Sequence, residues 1–116
     1  MRSLRQGDIA FVPFPYEEDK TVSRRRPCLV LAVDEVKQRF LGAKITTTEL
    51  KQRWAFHLSS GTKDTLSGAI LRESWINLNR REWFSFADCI QVFAMLSPDV
   101  LNAVLERMRL LPSGRC

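Results

Sequence analysis

Pro27 to Val33 is an unbroken apolar run, set between the basic Arg24-Arg25-Arg26 and the polar stretch Asp34 to Gln38. A short run with such flanks is the mark of a buried strand. Other segments read the same way. Gly7-Asp8 is a turn signal, and Ile9 to Phe14 follows as a strand stopped by Pro13 and Pro15. Phe40 to Thr47 reads as a third strand and Ala55 to Leu58 as a fourth, closed by the turn Ser59-Ser60-Gly61-Thr62. Gly68 to Leu78 reads as a fifth, with Gly68 marking a bend or bulge.

Between these strands, residues 16–25 lack apolar periodicity and read as a charged, mobile loop. Arg80-Arg81-Glu82 reads as a turn. Phe84 to Leu96 fits either a short helix or a last strand, because periodicity does not separate the two. The final element is a helix. Ser97 is its N-cap, Pro98 stands at N1, and Asp99 opposes the positive helix end. Val100, Leu101, Val104, Leu105, Met108 and Leu111 then recur at helical spacing, until Pro112 and Gly114 end the helix. That stripe reads as core packing or a dimer face.

The 116 residues suit one domain over 1–116, large enough to hold a core without staples. Five short strands and a C-terminal helix predict a mainly β fold, a small half-open barrel capped by the helix. Lys and Arg number 18 against 13 Asp and Glu, a net charge of +5. This balance favours an anionic partner such as a nucleic acid, an acidic protein or an anionic membrane surface. Cys28, Cys89 and Cys116 are odd in number and widely spaced. They form no disulfide framework and no zinc site, and Cys28 reads as a small core residue. Reduced thiols fit the cytoplasm. No segment is long and apolar enough for a membrane span, and residues 1–7 lack the apolar region of a signal peptide.

Few residues can carry chemistry. Pro27 biases Arg26 toward an extended conformation at the start of its strand, where a guanidinium can donate two parallel hydrogen bonds to a phosphate. The same run also reads as a solvated charge cluster before an edge strand. Thr46-Thr47-Thr48 ends the next strand in hydroxyls. Alternation sets Thr46 and Thr48 on one face and Thr47 on the other, although threonines in a strand need no site. A hydroxyl can donate to a phosphate oxygen, but it does not ionise near neutral pH. An arginine starting one strand and hydroxyls ending its antiparallel neighbour can meet at one sheet edge, enough to grip a phosphate.

His57 is the only histidine, which excludes a ribonuclease built on two. No nucleophile-elbow or Gly-rich phosphate loop accompanies it. Glu17-Glu18-Asp19 is weak support for a metal site, and no cofactor is implied. Trp54, Trp75 and Trp83, with Phe84 and Phe86, stand among Arg53, Arg72, Arg80 and Arg81. Such interleaving suits stacking on unpaired bases. Most of these rings read as core, with Trp54 and Trp83 as the exposed ones.

The ordered segments resemble the MazF/PemK family of toxins from type II toxin–antitoxin systems. Gly7 to Pro15 resembles the family's opening strand, and Arg26-Pro27-Cys28-Leu29-Val30-Leu31 its Arg-Pro strand. Ile45-Thr46-Thr47 resembles the end of its third strand, Leu71 to Leu78 a bent strand of the PemK-like branch, and Leu96 to Leu101 the start of its terminal helix. The resemblance implies an SH3-like barrel, a homodimer, and an antitoxin whose acidic tail fills the RNA groove. It also implies a metal-independent endoribonuclease in which the ribose 2′-hydroxyl attacks the adjacent phosphate. The family's catalytic arginine maps onto Arg26 and its threonine onto Thr46. Arg24, Arg25, Thr47, Arg53, Trp54, Arg72 and Glu73 are then the expected RNA-binding residues. Arg25 can stand in for Arg26, and Glu73 and His57 are both candidates to take the 2′-hydroxyl proton. The family also includes CcdB, which poisons gyrase without cutting nucleic acid. A non-catalytic binding module is therefore the competing expectation.

Overall fold

The computed structural model describes residues 4–16 and 21–111. Seven strands form one sheet: β1 (Asp8–Pro15), β2 (Ser23–Asp34), β3 (Arg39–Thr46), β4 (Ala55–Leu58), β5 (Thr65–Gly68), β6 (Ser74–Ser85) and β7 (Gln91–Leu96). A 3-10 turn (Phe86–Asp88) precedes β7, and helix α1 (Pro98–Arg109) follows it. The strand order is β4-β6-β3-β2-β1-β7-β5. The sheet curls into the expected half-open, SH3-like barrel with one C-terminal helix.

The apolar run does what its pattern requires. β2 is flanked by β1 and β3, both antiparallel to it. Its alternate residues feed two clusters. Leu29 and Leu31 join Ile9, Ala43, Ile45, Ile76 and Leu78 on the side covered by α1. Cys28 and Val30 join Val12, Phe14, Phe40 and Phe84 on the other. The helix stripe serves the core: Val104 is fully buried, with Val100, Leu101, Leu105, Met108 and Leu111 packed around it. Ser97 caps the helix as expected, its Oγ accepting from Val100 N at 3.4 Å. Pro112 and Gly114 lie outside the described residues.

Several expectations need correction. The loop at 16–25 is shorter than expected. β2 already begins at Ser23, and Arg24 pairs with Phe14 and Arg25 with Pro13. Backbone pairing to β1 extends the chain there, despite its charge. Residues 17–20 lie outside the described residues, as does the acidic Glu17-Glu18-Asp19. Gly68 to Leu78 is two strands. β5 ends at Gly68, whose φ of +69° turns the chain, and β6 begins at Ser74.

Arg80-Arg81-Glu82 is no turn but the middle of β6. The strand carries extra residues there, since Lys44 pairs with Asn77 and Ala43 with Arg81. This bulge inverts the alternation. Leu78 packs on the α1 side, while Arg80 lies over Phe14 on the other, 5.1 Å from the ring centroid. The alternatives for Phe84 to Leu96 resolve into the end of β6, the 3-10 turn and β7.

Candidate active site

Strand register decides which of the candidate residues can meet. Across β1 and β2, Val12 pairs with Arg26 and Ala10 with Cys28. Paired residues share a face and alternate residues return to it. Arg24 and Arg26 therefore share the Cys28 face, away from α1. Arg25 falls on the α1 side, where its guanidinium lies 4.4 Å from the centroid of the Phe11 ring. Arg25 thus cannot stand in for Arg26 at a site on the Cys28 face.

β3 supplies the second group. Cys28 pairs with Lys44. Carried two residues on, this register sets Thr46 level with Arg26 on the same face. Thr46 pairs in turn with Trp75 on β6, and Trp75 with His57 on β4. One row on one face therefore reads Arg26, Thr46, Trp75, His57. The Thr46 hydroxyl accepts from Thr48 N at 3.1 Å. This fixes the oxygen and leaves its proton to donate outward. The chain bends away after Thr46, so Thr47 and Thr48 do not continue the strand.

Glu73 precedes β6, and its Oε2 lies 2.6 Å from His57 Nε2. The imidazole leans against Trp75, with ring centroids 5.3 Å apart. Sequence reasoning named both residues but missed their contact. Only the β4–β6 register brings them together.

The remaining expected residues stand elsewhere. Thr47 and Arg72 line a cleft of about 160 Å³ on the α1 side, floored by Ile9, Phe11, Pro27 and Ile45. Phe11 and Phe93 stack in its wall, centroids 4.6 Å apart. Arg53 is exposed in the connection before β4. Trp54, expected to be exposed, is half-buried and packs against the core on the α1 side. Trp83 is exposed as expected, with the Arg39 guanidinium 4.2 Å from its ring centroid.

Cys28 shares the Arg26 face, in the second cluster, and is fully buried, as its apolar run predicted. Burial, with a smaller contribution from Cys89, pushes its thiol up to about 12. It is a packing group rather than a nucleophile. Among the described residues, no three His, Cys, Asp or Glu side chains converge in a way that could hold a metal ion. No helix among them is long and apolar enough to cross a membrane.

The curled half-barrel with its one C-terminal helix matches the fold of solved toxin structures. A mycobacterial endoribonuclease in complex with its cognate antitoxin superposes with a TM-score of 0.67 at 14% identity, covering 91% of each chain. MazE–MazF from Deinococcus radiodurans gives 0.64 at 15% identity, over 93% of this chain and 94% of that one. Mycobacterium tuberculosis toxin MazF-mt6 gives 0.63 at 16%, over 87% and 91%. The model of the PemK-like, MazF-like toxins of type II toxin–antitoxin systems matches residues 5–111, and the chain belongs to that family. Among curated proteins, none matches its sequence.

Proposed function

We propose that this chain is a toxin that cuts single-stranded RNA in a sequence-specific, metal-independent way and so arrests growth. The observation that carries the reading is the β2–β3 register, which, carried two residues beyond Cys28 and Lys44, sets Arg26 and Thr46 level on one face. A phosphate gripped there meets a bidentate donor and a hydroxyl donor together. The substrate brings its own nucleophile. The ribose 2′-hydroxyl attacks the adjacent phosphorus, the bond to the 5′-oxygen breaks, and the products carry a 2′,3′-cyclic phosphate and a 5′-hydroxyl. Negative charge gathers on the non-bridging oxygens in the transition state. A fixed guanidinium therefore stabilises the transition state more than the ground state. These steps need no metal ion.

Arg24 lies on the same face and extends the cationic path for the RNA backbone. Arg25, Thr47 and Arg72 lie on the α1 side of the sheet, at the apolar cleft, and meet flanking nucleotides that wrap round the strand ends. Arg53 and Glu73 border the far end of the row. Trp54 is too engaged with the core to stack on a base, so its part in RNA binding is indirect. The net charge of +5 suits both RNA and an acidic antitoxin tail competing for the same cations. Solved relatives described as antitoxin complexes support such a partner. The working form is a cytoplasmic homodimer.

The test is incubation of the purified protein with a long single-stranded RNA in EDTA, followed by end-group analysis. Discrete cuts with 5′-hydroxyl ends support the reading. Cleavage that depends strictly on magnesium removes the proposed chemistry. Absence of cleavage by the folded protein points to a binding toxin of the CcdB kind.

A further inference from the structure

The row that starts at Arg26 and Thr46 ends at His57, and that end is organised. β4 holds the His57 backbone against β6, Trp75 supports one face of the imidazole, and Glu73 holds Nε2 at 2.6 Å. The two side chains are 46% and 61% exposed. A polar contact so open contributes little to stability, yet it orients a ring.

We propose that His57 is the general base that takes the 2′-hydroxyl proton, and that Glu73 is the residue that positions it. The inference rests on the ribonuclease reading above. With Glu73 accepting from Nε2–H, the imidazole lone pair lies on Nδ1. Thr46 and His57 are two strand spacings apart, about 10 Å between backbones. A phosphate over Thr46 sets the ribose bearing the attacking hydroxyl above Trp75, with the imidazole beyond it. Nδ1 takes the proton as the bond from the 2′-oxygen to phosphorus forms. The bond to the 5′-oxygen breaks, and that oxygen takes a proton from water. The imidazolium then returns its proton to the hydroxide so formed.

Among the described residues, Glu73 faces the ring from just before β6, and Lys44 of β3 shares its side of the sheet. Trp75 and Asn77 of β6 are neutral. Lys51 and Arg53 are exposed in the connection before β4. Arg107 of α1 meets β4 from the other side, donating to the Ala55 carbonyl and lying over Phe56.

The test is the single-turnover cleavage rate against pH for the wild type, His57→Gln and Glu73→Gln. Affinity is measured separately with an RNA carrying 2′-deoxyribose at the cut site, which cannot react. We expect His57→Gln to slow cleavage by roughly 10²–10³-fold, with affinity for the analogue unchanged. The limb on which the wild-type rate rises with pH disappears in this variant. Glu73→Gln slows cleavage less and keeps the limb. Added imidazole restores part of the rate of His57→Ala. A His57→Gln rate and profile equal to wild type would overturn the assignment while leaving the ribonuclease reading intact. So would a loss of rate matched by an equal loss of affinity. A wild type that cuts no RNA defeats the ribonuclease reading itself, and this assignment with it.

Discussion

The Arg80 guanidinium reaches from β6 to the Pro15 carbonyl, 2.6 Å away at the far end of β1. Its other amino group donates to Glu82 at 2.6 Å, and Phe14 lies beneath it. The residue is 8% exposed. One buried cation thus closes the curl of the sheet over the second cluster. It also fastens the strand end from which the chain leaves toward Arg24–Arg26.

Removing that cation leaves the Pro15 carbonyl and Glu82 without it in a half-dry setting. Arg80→Ala is expected to cost about 3 kcal/mol, read as a lower urea midpoint. Arg80→Lys is expected to recover little, because an ammonium lacks the planar fork that spans both partners. Variants as stable as the wild type would show that the clamp adds nothing.

Gly68 has no freedom to become alanine. Its φ is +69°, and a Cβ would collide with the Phe93 carbonyl and sit 2.8 Å from Ala94 Cα. Gly68→Ala is expected to destabilise by roughly 2–3 kcal/mol, lowering the melting temperature by about 10 °C. Calorimetry reads the shift, and an unchanged melting temperature contradicts the close approach.

Cys28 is predicted to resist alkylation in the folded protein at pH 8. Its thiol is held near 12 and its sulfur is covered, so almost no thiolate is presented to a reagent. Peptide mapping after iodoacetamide should find Cys28 unmodified until denaturant is added. Rapid modification of the native protein would show that the strand opens.

Much of this was legible in the residues themselves. The run after Arg26 announced the central strand, and Ser97-Pro98-Asp99 the helix start. Alternation along β2 separates Arg26 from Arg25 once the apolar run is fixed. What could not be read were consequences of pairing between distant strands. Thr46 stands level with Arg26 through the β2–β3 register, and His57 meets Glu73 through the β4–β6 register. Arg80-Arg81-Glu82 misled because a charged triplet ordinarily marks solvent. Here a bulge turns Arg80 inward, toward an aromatic ring and a carbonyl that lies 65 positions away in the chain. Trp54 misled for the opposite reason: a charged neighbour says nothing of where a ring points when the core is near.

The central claim is that Arg26 and Thr46 act together on one phosphate. Its most direct test is the single-turnover cleavage rate of Arg26→Ala, Thr46→Val and Arg25→Ala with one RNA, each variant first shown to be folded. Arg26→Ala and Thr46→Val are predicted to slow the chemical step by about 10²–10³-fold, and Arg25→Ala to weaken RNA binding while sparing that step. Loss of the chemical step in Arg25→Ala, with Arg26→Ala still active, would move the site to the other side of the sheet and contradict the account.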